Sequence, residues 1–597
     1  MMRSLLVLAL CASLPLAAAA GPVTSPAPTA AGAPAWVARS NELAQILLQA
    51  QAPFLPEMAS SLGVQGYEGR VVDLAPGHDA RYRAALGKAR ERLRGQLQLE
   101  RDPNVRQDLE IMIAAAERSI EGSQLDAQYL MPWVDVPQVV FGGLNNLLTD
   151  PPPAPHRGKA LERLRAYIGQ APGTVPLATL ARQRYEEKSG TPDLLQPTRA
   201  EVEQALANVD TYVEGIAELF AEHGIRGADA ALATLAAQMK DYIAWTREQV
   251  LPLARTDPRL PAGLYAFRLK EAGIDIDPAL LMQRAQLEYM ETRGMLRQLA
   301  PLVAAAKGLA IDDRNDYVAV IRALKREKIA DDRLEAHYRG VIDAIDPIVR
   351  RQRIVDMPQR PLRMRLGSAA ESAAAPAPHY LPPPLVDNHG QFGVFVLPLG
   401  NPASEGKAQY DDFSFDAASW SLSAHEGRPG HDLQFAAMVE RGISLARTLF
   451  AFNLVNVEGW ALYAEAEMVP YEPLDGQMIA LQFRLLRAAR AMLDPMLNLG
   501  LIDREQARGV LIEGVGLSEA MARQELDRYT VRAPGRAPSY FHGYSRIMEL
   551  RMRAELALGD RFDLLAFNNF LLDQGLLPPD QLATAVDEVF LPAQRGK

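Results

Sequence analysis

The sequence predicts a mainly α-helical protein with one small β element set just ahead of a histidine-bearing helix. Three observations predict it. Leu, Ile and Ala recur at spacings of three and four over most of the chain, the signature of one buried helical face. Strand patterns are rare. The best strand candidate, Gln391-Phe-Gly-Val-Phe-Val-Leu-Pro398, is β-branched and aromatic. The 597 residues are too many for one small core, and a hydrophobic fraction of 48% with 23% charged residues is ordinary for a globular protein. Net charge is -10 with Lys and Arg scattered, which argues against a nucleic-acid partner and says little about substrate.

In chain order, Arg3 precedes an apolar run from Leu5 to Leu16, followed by Ala17 to Ala20 and Gly21. A positive start, a short apolar core and small residues read as a cleavable signal peptide cut near Ala20, too short to span a bilayer. The protein is therefore expected to be periplasmic or secreted, with no transmembrane segment once processed. Cys11 is the only cysteine, and Leu10 before it is not the small residue that a lipid anchor wants, so an anchor is disfavoured. Processing would remove the cysteine, leaving no thiol nucleophile or thiolate ligand, so a metal would have to be held by His, Asp or Glu.

Residues 21–35, rich in Pro, Ala, Thr and Gly, read as a flexible leader. Residues 36–366 form a helical N-terminal half, with helical patterns at 79–100, 103–121, 157–170, 197–224, 228–250, 278–306, 313–328 and 331–351. Pro103 suits a first helical turn. Residues 367–390, with Pro376, Pro378 and Pro382 to Pro384, form a Pro-rich junction. Residues 391–597 form the second half, which carries the chemistry, with one long helix expected over 443–468.

Most of the nine histidines are isolated, but two stand together in Ser421-Leu-Ser-Ala-His425-Glu426-Gly-Arg-Pro-Gly-His431-Asp-Leu-Gln434. Two imidazoles can bind Zn²⁺ while an adjacent carboxylate takes a proton from water. The usual spacing is HExxH, one turn apart. Here the second histidine is six residues on, which on a straight helix means about 240° of rotation and about 9 Å of rise. Two rings so placed cannot share an ion with bonds of about 2 Å. Pro429 and Gly430 permit the remedy: a helix interrupted after Arg428 that returns His431 to the metal.

A third ligand is expected at Glu458, in the densest apolar part of 443–468, where a carboxylate is costly unless paired or metal-bound. Glu465, two turns later, can back a ligand, although Glu465 and Glu467 read more readily as structural. The stretch Pro534-Gly-Arg-Ala-Pro-Ser-Tyr540-Phe-His542-Gly-Tyr544 leads into a helix starting near 538 and offers Tyr540, His542 or Tyr544 as oxyanion donors.

These segments together resemble the bacterial DUF 885 family, a zincin-like group. The matching pieces are HEGRPGHDLQ at 425–434, VEGWALYAE at 457–465, RAARAMLDP at 487–495, QELDRYTVRAPGRAPSY at 524–540, GYSRIMELR at 543–551 and FNNFLLDQGLLPP at 567–579. The resemblance implies a large helical zincin-like metallopeptidase fold and one Zn²⁺. It carries His425, His431 and Glu458 over as ligands, Glu426 as general base, and Tyr540 and Arg528 as site residues. Many relatives have Gln in place of Arg536 and His in place of Asp432, Asn498 and Asn568. The function expected is hydrolysis of short peptides by an exported zinc peptidase, with Glu426, Tyr540, His542 and Arg528 as catalytic residues. The alternatives are a non-catalytic binding protein on the same scaffold and a zinc amidase or esterase acting on cell-wall material.

Overall fold

The computed structural model describes residues 34–148, 154–399 and 411–596. Cys11 and residues 21–33 of the leader lie outside them, and Ala35, the leader's last residue, already begins the helix Ala35–Gln51. The described chain is mainly helical, as the sequence predicts, with helices at Pro278–Ala306 and Asp331–Arg351 on the predicted spans. Pro103 is the first residue of the helix Pro103–Tyr129, and Asp102 caps it by accepting from Asn104 N and Val105 N. No helix among the described residues is long and apolar enough to cross a membrane.

The β element is larger than the sequence suggests. β1 (Met364–Leu366), β2 (His379–Leu381) and β3 (Val394–Leu397) form a sheet in the order β1-β3-β2. β3 pairs parallel with β1 and antiparallel with β2, placing Phe395 opposite both Met364 and Tyr380. All of β3 is buried. The Pro-rich junction therefore is ordered: it supplies β2 and the short helix Ala369–Ala374, capped by a reciprocal Ser368–Glu371 box. One hydrophobic core draws residues from Leu43 to Leu591, so the two halves bury their faces against each other.

The expected single helix over 443–468 is broken. A π-helical turn, Ala446–Phe450, is followed by a separate helix, Leu454–Met468. Asn453 separates them because its side chain accepts from Asn456 N and caps the second helix. That helix crosses Ser539–Leu558 at two glycines. A Cβ on Gly543 would lie 2.0 Å from Val455 O, and one on Gly459 would lie 2.5 Å from the Gly543 carbonyl carbon. Only glycine lets the two backbones approach this closely, and the crossing brings Glu458 and Tyr540 to the same place.

Candidate metal centre

The helix Asp416–Leu422 runs into a π-helical turn, Ser423–Gly427, that carries His425 and Glu426. The backbone then turns extended at Arg428, the Arg428–Pro429 peptide is cis, and a new helix starts at His431. Gly430 closes the turn, with its N–H donating to Ala424 O at 2.9 Å. A Cβ there would sit 1.9 Å from His425 O, so no other residue fits. The break in the helix thus brings the two imidazoles together, with ring centroids 4.8 Å apart.

Several groups lock this turn. Arg428 donates to Asp432 Oδ2 at 2.9 Å and to Arg360 O, and Tyr380 of β2 donates to Asp432 Oδ1 at 3.0 Å. Trp460 Nε1 donates to Pro429 O at 3.0 Å, tying the Leu454–Met468 helix to the turn. Glu458, two residues before Trp460, reaches the histidines: its Oε2 lies 3.5 Å from Nε2 of both His425 and His431. Ligand atoms of the three residues fall within 4.8 Å of one another, so together they can hold one cation. Glu426 Oε1 is 4.0 Å from His425 Nε2.

The cluster is buried and strongly polarised. Burial alone would lower the pKa of His425, but the carboxylates of Glu465, Glu458 and Glu426 outweigh it and raise the group to about 9. Burial would push Glu458 up, but the two histidines hold it well below the usual carboxylate range. The cluster thus favours positive charge at its centre. Glu458 Oε2, Glu426 Oε2 and His431 Nδ1 are nevertheless buried without a hydrogen bond, a cost that folded proteins generally avoid.

Glu465 fixes the orientation of His425. Its Oε1 meets His425 Nδ1 at 2.5 Å, Arg487 donates to the same oxygen at 2.8 Å, and Ser421 Oγ donates to Oε2 at 2.8 Å. His425 Nε2 is thereby turned toward Glu458. On the other side, Tyr540 stacks against the His425 ring at 6.3 Å and accepts from Arg528 at 2.8 Å. Arg490 lies over the Tyr540 ring at 4.7 Å and is held by both oxygens of Glu525, at 2.7 and 2.6 Å.

The family model of a bacterial protein of unknown function, DUF885, matches residues 56–586. The chain belongs to the DUF885 family. Two solved structures resemble this DUF885 chain over most of its length. One, described as a candidate lipoprotein from Colwellia psychrerythraea, has a TM-score of 0.71 and 20% identity, covering 93% of this chain and 99% of that one. The other, a candidate lipoprotein of unknown function from Shewanella oneidensis, has a TM-score of 0.67 and 19% identity, covering 93% and 100%. At these identities the likeness speaks for the fold alone. A candidate oligoendopeptidase F from Bacillus anthracis gives a TM-score of only 0.30 at 10% identity over 85% and 96% of the two chains, which carries no argument. No curated protein matches the chain.

The structure of this DUF885 protein brings His425, His431, Glu458, Glu426, Tyr540 and Arg528 together. It places His542 elsewhere. Two residues along a helix is a rotation of about 200°, and His542 pairs with Asp275, whose other oxygen faces Arg546. Tyr544, one turn beyond Tyr540, lies under Arg484. Glu467 pairs with Arg551. Asp432, Asn498 and Asn568 are absorbed in hydrogen bonds: Asp432 as above, Asn498 with Asp494 and Tyr529 O, and Asn568 with Tyr463 and Ile354 O. Sequence reasoning under-read Glu465 and missed Arg487, Arg490 and Glu525. The signal was available in Arg487 and Arg490, two arginines three apart in an otherwise apolar helix stretch, a placement that implies buried acidic partners.

Proposed function

We propose that the protein is an exported zinc peptidase acting on short peptides. The observation that carries this reading is the position of Glu458 Oε2, 3.5 Å from both histidine Nε2 atoms and without a hydrogen bond. A tetrahedral ion with bonds of about 2.05 Å sets its ligand atoms roughly 3.3 Å apart. The two edges from Glu458 to the histidines fit that figure, and two imidazoles with one carboxylate suit zinc and leave a fourth position open. Bound there, zinc would supply Lewis acidity, polarising a carbonyl and acidifying water.

The remaining roles fall to side chains of this chain. Glu426, adjacent to the ligands and with Oε2 unpaired, accepts the proton from water and returns it to the leaving amine. Burial pushes the Tyr540 hydroxyl up in pKa, against the pull of Arg528, so it stays protonated and able to donate. Because Arg528 donates to the tyrosine oxygen, the phenolic proton remains free for a developing oxyanion. The buried setting of the ligands favours peptide ends and short chains over folded proteins. Export is supported by the pattern of residues 1–20 and by the lipoprotein descriptions of both structural relatives, which also return Cys11 to consideration as an anchor despite Leu10.

Glu426→Gln tests the reading. It is expected to retain one zinc per chain by elemental analysis. Its cleavage of a peptide library, followed by mass spectrometry, is expected to fall by about 10²–10⁴-fold. Undiminished cleavage by this variant would reject the assignment. So would a wild-type protein that holds no zinc and is indifferent to chelators.

A further inference from the structure

A second space in the protein carries its own chemistry. The helices Val136–Leu148 and Arg199–Glu222 and the turn Arg528–Arg532 wall a cavity of about 130 Å³. A water occupies roughly 30 Å³ of liquid, so the cavity has room for a few waters or one small organic molecule.

Its lining carries both signs of charge. Asp135 and Glu201 line it, and Glu201 already accepts from Thr198 N at 3.3 Å in the cap of its own helix. Asp135 accepts a hydrogen bond from Gln138 N at 3.2 Å but has no cationic partner among the described residues. Burial, with the Glu201 charge adding to it, raises Asp135 to about 7. Its side chain retains accessible surface because it borders the cavity. Arg532 also lines it, half-buried and without a carboxylate partner among the described residues. Trp133 also lines the cavity; it is 8% exposed, and its indole N–H is buried with no acceptor. Asp135 and Arg532 form no ion pair with each other among the described residues. Tyr212, whose pKa burial raises, is reached by both charges, with Asp135 pushing it further up and Arg532 pulling it down.

Opposite charges held apart around a small void, with one orphaned donor, call for a ligand that carries both complements. A bare cation would meet Arg532, and a bare anion would meet Asp135. We propose that this cavity binds a small zwitterion, a free amino acid or a dipeptide. Its ammonium lies against Asp135, and its carboxylate against Arg532 and the Trp133 N–H. Arg532 shares its turn with Arg528, which holds Tyr540. The inference does not rest on peptidase activity.

The test is calorimetric titration of the full-length protein with alanine, N-acetylalanine and alaninamide, none of which offers a peptide bond between amino acids. Alanine is expected to bind at one site. Each blocked form is expected to bind at least about ten-fold more weakly, since each loses a charge-assisted contact. Asp135→Asn, which keeps an acceptor for Gln138 N–H, and Arg532→Gln are each expected to weaken alanine binding about ten-fold. N-acetylalanine, lacking the ammonium, is expected to be insensitive to Asp135→Asn. Dialanine, titrated into Glu426→Gln, separates the two sizes of zwitterion: tighter binding than alanine assigns the cavity to dipeptides, weaker binding to free amino acids. The proposal is overturned if alanine and dialanine both fail to bind at 10 mM, if blocked forms bind as well as alanine, or if both substitutions leave binding unchanged. Should Asp135→Asn unfold by circular dichroism, Arg532→Gln decides alone.

Discussion

Two buried carboxylates, Asp108 and Glu458, sit in the same protein and are treated in opposite ways. Asp108, fully buried on the Pro103–Tyr129 helix, has both oxygens engaged: Ser40 and Ser444 donate to Oδ2 at 2.6 and 2.5 Å, and Arg447 Nε donates to Oδ1 at 2.9 Å. It joins the N-terminal helices to the turn before Leu454–Met468. Glu458, its side chain 13% exposed, has its buried Oε2 beside two histidine nitrogens at 3.5 Å and no hydrogen bond. A carboxylate that serves only the fold is satisfied by the fold. One left with spare valence at the meeting point of three elements is held for something else. The same contrast separates Arg490, gripped by Glu525, from Arg532, which faces a cavity.

The largest effect that would break this comparison is on stability. Asp108→Ala strands the Arg447 guanidinium and is expected to cost about 3–5 kcal/mol. This would be read as a lower urea midpoint at an unchanged slope, with zinc content of the folded fraction unaltered. Loss of zinc with stability intact would reverse the roles assigned to the two carboxylates. Next in size is Tyr540→Phe. Removing one oxyanion donor costs about 10²–10³-fold in kcat, or roughly 2.7–4 kcal/mol, and should leave KM nearly unchanged. A change confined to KM would make Tyr540 part of the substrate-binding surface instead.

The sequence carried the essential geometry of the centre because its constraints are local. Six residues cannot bridge two ligands on a straight helix, and Pro429-Gly430 lets the backbone bend between them. A single acid in the apolar stretch around Glu458 gave the third corner. What it hid depended on distant partners. β1 and β2 are three residues each, and their pairing with β3 is decided by tertiary contact rather than propensity. Asn453 reads as an ordinary helix residue until its cap is seen. His542 was misplaced although helical phase alone separates it from Tyr540, since a helix starting near 538 points the two in nearly opposite directions. The acids of the zwitterion cavity come from residues 135 and 201 and its arginine from 532, a grouping that no local pattern announces.

The sharpest form of the comparison lies in Glu465, which belongs to both classes. Its oxygens are as fully engaged as those of Asp108, by Ser421, Arg487 and His425, yet one of those partners is a candidate ligand. If its role is purely structural, Glu465→Gln should act on stability alone. If it orients His425 and raises the basicity of Nε2, the same change should weaken zinc affinity by about 10–100-fold, the range found for outer carboxylates on ligating histidines. Competition with a chelator of known affinity measures this directly, with thermal unfolding of the metal-free variant as the control. Glutamine keeps the volume and an acceptor for the imidazole N–H but not the charge, so the shift isolates the electrostatic part of the contact. An unchanged zinc affinity with a lowered unfolding temperature would place Glu465 beside Asp108, as a carboxylate that holds the fold and nothing more.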